Sequence, residues 1–188
     1  WRGPMAAKAL NQMIFDAAWG ELAFLLIDLP PGTGDIHLSI MQSLPITGAV
    51  VVSTPQAVAL SDAKKGVAMF QQENIQVPVL GVIENMAYFT PEELPNNKYY
   101  IFGKAGARYL ATDLDVPFLG EVPLVQSIRE AGDIGRPAAM QESTTVADAL
   151  TKVTREVVQQ VVKRNEHLPP TEAIKITTMA GCAAVTKN

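Results

Sequence analysis

Short, unbroken apolar runs alternate along this chain with longer stretches whose apolar residues recur every three or four positions. The runs cover residues 22–28 (LAFLLID), 48–53 (GAVVVS), 77–83 (VPVLGVI) and 116–122 (VPFLGEV). An apolar run without alternation predicts a strand buried on both faces. Between the runs, helical spacing predicts helices over residues 4–18, 56–72, 102–113 and 125–131. The first opens on a proline suited to an initial helical turn, with Met5, Ala9 and Met13 four apart. A longer stripe of Val146, Leu150, Val153, Val157 and Val161 predicts a helix over 145–164, stopped by Pro169 and Pro170. Strands separated by crossover helices predict an α/β fold. It is a doubly wound, mostly parallel sheet with helices on both faces. Residues 1–167 are expected to form part of such a domain, and 168–188, which lack periodicity, a loosely ordered tail.

Composition narrows the picture. The 188 residues suffice for one domain with a real core. A net charge of −4 argues against a nucleic-acid partner, because such proteins need Lys and Arg to displace counterions. No apolar run approaches the roughly 20 residues needed to span a bilayer, and the tail after Pro170 shows no basic amphipathic helix, so no membrane partner is expected. With Cys182 as the single cysteine there is no disulfide framework, and a cytoplasmic location is the expectation. Trp1 opening the chain reads as an internal cut in a longer protein.

Ligands of open parallel sheets bind beyond the carboxyl ends of the strands. The first run ends in Asp28, followed by Pro30, Pro31, Gly32, Thr33, Gly34 and Asp35. An acid at the tip of a buried strand is costly unless it is paired or faces a metal. Asp28 suits a Mg²⁺ held beside phosphates, usually through water, and Gly32, Thr33 and Gly34 suit a tight loop that turns N–H groups towards an anion. The alternative is an ordinary strand end with a Pro-Gly turn. Asp35 reads as the N-cap of a helix starting at Ile36, and His37 as a solvated or capping residue. With only His37 and His167 in the chain, a histidine metal site has little support.

The second run ends in Ser53, Thr54 and Pro55, which read as helix-capping residues. The third ends in Glu84, Asn85 and Met86. An Asn at a strand tip can present both halves of its amide to an adenine edge, or simply form a turn. After the fourth, the backbone of Glu121, Val122, Pro123 and Leu124 can line the same base pocket. Thr90-Pro91-Glu92-Glu93 reads as a helix start with a capping box, and residues 94–100 as a surface loop.

The segments LLIDLPPGTGD, VVSTPQAVALSDAKKG, VPVLGVIENM and FLGEVPL…IREAGDIGRP, in that order, resemble the Mrp family of P-loop ATPases. The likeness runs over about residues 1–141. That family belongs with the MinD- and ParA-like ATPases, and its members are proposed to carry or insert iron–sulfur clusters. The resemblance implies ATP and Mg²⁺ as cofactors of the full-length protein, with Asp28 as the Mg²⁺-associated acid. It makes Gly32, Thr33 and Gly34 the loop that responds to the γ-phosphate, and Asn85 and Pro123 the adenine pocket. A homodimer is implied, with Asp62 and Lys65 on a helix near its interface, as are iron–sulfur client or scaffold proteins as partners.

Two departures qualify these expectations. The family's G-K-G-G-V-G-K-[ST] loop is absent, and the only Gly-Lys pair is Gly103-Lys104. That loop supplies most of the phosphate grip, so this chain by itself is expected neither to hold ATP tightly nor to hydrolyse it. A sheet missing its first βα unit exposes apolar edge and face, so self-association is expected as well. Many members also follow E-N-M-x-x-F with Cys-Pro-x-Cys, whereas Thr90 and Glu93 stand at those cysteine positions here. Iron in a cluster calls for soft thiolates, which argues against a bridged iron–sulfur cluster on this chain. The alternative reading is a MinD- or ParA-like positioning ATPase.

Overall fold

Parallel strands need their neighbours' hydrogen bonds, and three of the expected runs supply them to one another. The computed structural model describes residues 3–30, 32, 34–91, 93–94, 97–141 and 144–174. Strands β1 (Ala49–Ser53), β2 (Val79–Phe89) and β3 (Phe118–Leu124) lie side by side in that order, all parallel. Helices α3 (Ala57–Phe70) and α4 (Gly106–Asp113) follow β1 and β2, while α5 (Gln126–Asp133) and α6 (Thr145–His167) follow β3. The chain divides into two compact units. Residues Thr47–Pro170 hold the sheet, and Trp1–Ile46 with Thr171–Asn188 hold α1 (Gly3–Phe15) and α2 (Asp35–Ser43).

The sheet is covered on both faces, as expected, and alternation along the strands assigns each helix its side. Val82 and its neighbour Phe118 pack with Ala107 and Ala111 of α4. One residue on, Ile83 pairs with Gly120, where an added Cβ would lie 2.8 Å from Val153 of α6. Successive strand residues point to opposite faces, so α4 and α6 sandwich the sheet. Helix α6 starts where Thr144 accepts a 3.1 Å hydrogen bond from the Ala147 N–H. It ends ahead of Pro169, with Leu168 extended as a residue before proline prefers. None of the described helices is long and apolar enough to cross a membrane.

Several expectations are corrected. Residues 22–28 form no strand: Leu26 is 87% exposed, and Leu22, Phe24 and Leu25 are exposed too. An apolar run records a tendency to be buried but carries no ladder partner, and none of the described strands pairs with it. The third strand runs past Ile83 to Phe89, because Glu84 and Asn85 pair with Glu121 and Val122 instead of turning away. The fourth run forms a strand two residues later than expected, and α4 starts at Gly106, not residue 102. The cap of α2 is Gly34, not Asp35, which is already helical. No helix starts at Thr90. Leu94 N–H bonds Pro91 O at 3.1 Å as a turn, and Glu92 lies outside the described residues. In the tail, Thr171 and Ile174 hydrogen-bond to Pro45 and Met41, while Cys182 lies outside the described residues.

The one buried acid of the sheet is Glu84, only 1% exposed. Its carboxylate accepts a 2.7 Å hydrogen bond from the Ala107 N–H in the first turn of α4, whose orphan donors face back along the helix axis. Burial pushes its carboxyl above the ordinary 4.5, helped by the nearby Glu121. The N–H groups of Ala107 and Ala105 and the Arg108 guanidinium pull the other way.

Two outcomes are expected. Gly81, at φ +150°, leaves a Cβ only 2.5 Å from Pro117 O, so Gly81→Ala should cost about 1–3 kcal/mol, read as a lower urea midpoint. For Glu84, the folded state keeps a proton that the unfolded chain releases first, so its contribution to stability falls as pH rises from 4.5 through the raised native value. Glu84→Gln removes that titration. Urea unfolding across a pH series should show the variant gaining on the parent as pH rises, and a pH-independent difference would refute the assignment.

Candidate functional site

The carboxyl ends of β2 and β3 bring two of the expected site residues together. Asn85 pairs with Val122, one residue before Pro123. Asn85 lies on the opposite face from Glu84, so the hydrogen bond that seats Glu84 on α4 also fixes the backbone from which the amide projects. Its Oδ1 accepts a 2.9 Å hydrogen bond from the Met86 N–H. That bond uses one of the two Oδ1 lone pairs, and the NH₂ has no hydrogen-bond partner among the described residues. Met86 adopts φ +54°, and the register shifts between Asn85 and Phe89, so the strand bends just beyond the amide. Asn85 is half-buried, whereas Pro123 is fully buried.

Asp28, Gly32 and Gly34 belong to the other compact unit, and Thr33 lies outside the described residues. Asp28 is exposed, not buried at a strand tip, and none of the ion pairs found among the described residues involves it. An unpaired, accessible carboxylate fits a Mg²⁺ that keeps most of its waters, since that ion takes one or two carboxylates plus phosphate oxygens. Gly32 has φ +97°, and no heavy atom lies within 4 Å of where a Cβ would stand at Gly32 or Gly34. The loop backbone is therefore open to a ligand. Gly34 O accepts from the His37 N–H at 3.1 Å at the start of α2, a helix of nine residues. His37 itself is corrected: it is 4% exposed, with Nδ1 buried and unpartnered, not solvated.

No group of three or more His, Cys, Asp or Glu side chains among the described residues could hold a metal ion. Thr90 and Glu93 occupy the positions after Phe89, and Glu93 is exposed. Asp62 and Lys65 form an exposed ion pair with each other at 3.0 Å. Ser53 is buried, donating to Thr54 O at 2.9 Å, and the N-cap of α3 is Gln56, with no side-chain cap bond. What sequence reasoning missed is Glu84. The available signal was a charged residue directly after an apolar strand run, which must find a hydrogen-bond donor if the strand continues.

The family described as "ParA: NUBPL iron-transfer P-loop NTPase" matches residues 1–162. A mouse protein named iron-sulfur cluster transfer protein NUBPL is 47% identical over 162 residues, covering 86% of this chain and 50% of its own length. A protein of Aquifex aeolicus named iron-sulfur cluster carrier protein is 47% identical over 165 residues, covering 87% of this chain and 44% of its own. Among solved structures, a nucleotide-binding protein from Archaeoglobus fulgidus in complex with ADP superposes with a TM-score of 0.62 at 39% identity. The match covers 70% of this chain and 53% of that one. This chain thus spans about half the length of the relatives it matches. The matched span takes in all three strands and the Asn85 site, and the chain belongs to the ParA family of NUBPL-type iron-transfer P-loop NTPases.

Proposed function

We propose that this chain forms the base-reading and metal-facing part of an ATP-dependent iron–sulfur cluster carrier that works as a homodimer in the cytoplasm. The observation that carries the reading is the placement of Asn85. Its amide stands at the carboxyl end of a parallel strand, oriented by the Met86 N–H, one register position from the Pro123 backbone. The free NH₂ and the second Oδ1 lone pair match the donor–acceptor edge of adenine. Relatives named as cluster carriers and a neighbour with bound ADP support both halves of the proposal.

In this reading Asp28 anchors the water shell of Mg²⁺, and the backbone N–H groups around Gly32, Thr33 and Gly34 face the γ-phosphate. Bound ATP–Mg²⁺ supplies the phosphoryl-transfer chemistry, and this chain's own residues orient the base, screen charge and report the phosphate. The cluster is cargo. Thr90 and Glu93 stand at the positions of the family's cysteine pair, and neither is a soft thiolate ligand for iron.

The test uses the protein extended to the full length of its relatives. Asn85→Ala should reduce the preference for ATP over GTP, since a bidentate amide–base pair is worth about 1–3 kcal/mol of discrimination. Asp28→Asn should lower ATP turnover while leaving that preference intact. Competition binding and phosphate release read the two effects separately, and an unchanged base preference in Asn85→Ala would refute the adenine assignment.

A further inference from the structure

Away from Asn85 and Pro123, a cleft of about 320 Å³ opens between the end of β2, the middle of β3 and the first turns of α6. Its cations are Lys98, Arg108 and Lys152. Lys98 Nζ stands 3.9 Å over the Tyr88 ring, and the Arg108 guanidinium lies 4.2 Å over Phe118. Aromatic faces hold these two cations in place without neutralising them. Arg108 gives one nitrogen to Glu121 at 3.0 Å, cancelling that carboxylate. Asp148, also at the cleft, sits in the first turn of α6, where the helix itself favours a negative charge. Lys98 and Lys152 have no carboxylate partner among the described residues. The cleft thus gathers three cations against two carboxylates, in a chain whose net charge is −4.

We propose that this cleft binds a small polyanion, a phosphate- or carboxylate-bearing molecule about the size of pyrophosphate or citrate, through Lys98, Lys152 and Arg108. The volume lies at the lower end of the range for small-molecule sites. Asp148, the acid of the cleft that Arg108 does not pair with, opposes an extended acidic segment more than a compact anion that touches only the cations. Neither Asn85 nor Pro123 lines the cleft, although Glu121, whose backbone is expected beside the base, does.

The 188-residue chain would be titrated with inorganic pyrophosphate, citrate and hexaglutamate, following backbone amide shifts at roughly 0.15 M ionic strength, where screening acts beyond about 8 Å. Saturable binding of pyrophosphate or citrate, with shifts centred on Gly120, Glu121 and Ala149, is expected, and the tighter of the two identifies the anion class. Lys98→Ala and Lys152→Ala should each weaken binding about tenfold, as loss of a charge-assisted hydrogen bond does. Lys152→Arg should restore it, and Lys163→Ala, at the far end of α6, should change nothing. Lys98 and Lys152 are exposed, so circular dichroism of the variants should match the parent. Absence of saturation at millimolar pyrophosphate and citrate, affinity indifferent to both alanine variants, or tighter binding of hexaglutamate would each overturn the proposal.

Discussion

A carboxylate shut away from water has to find its hydrogen bonds inside the protein, and Glu84 finds them at the first turn of α4. Much of the local architecture hangs on that choice. The same helix start is pressed against the end of β1, where a Cβ on Gly106 would lie 2.7 Å from Pro55 O. One helix terminus therefore ties together the carboxyl ends of two adjacent strands. Asn85, the next residue along β2, inherits its position from this arrangement and faces the other way. The geometry proposed to read a base is thus set by a neighbour that never touches the base.

The sheet was legible because its strands are rich in Val, Ile and Leu and are separated by helices with a clear stripe. The α6 stripe from Val146 to Val161 places that helix within three residues of its observed end. Where the reading failed, the missing information was non-local. Residues 22–28 are as apolar as any strand, yet nothing in their order says which backbone completes their ladder. Strand β2 outran its expected end because Glu84 and Asn85 look like turn residues until the donors of α4 and the partners on β3 are known.

Of the candidate site, Asn85 and Pro123 could be placed from sequence because both sit just after apolar runs, the points where parallel strands deliver side chains to a ligand. Buried Glu84 and His37 could not, since polarity alone predicts exposure for both. The stacking of Lys98 on Tyr88 and of Arg108 on Phe118 joins residues ten apart in each case. Neither spacing belongs to a helix or strand period, and only the folded backbone reveals them.

Just past the bend at Met86, Phe89 and Tyr99 exchange two hydrogen bonds of 2.8 Å, N–H to O in each direction. That clasp brings Tyr99 back beside the end of β2, so the chain between the two residues starts and finishes at one place. Both bonds are main-chain to main-chain, so a change of side chain between their two ends leaves the clasp itself its donors and acceptors.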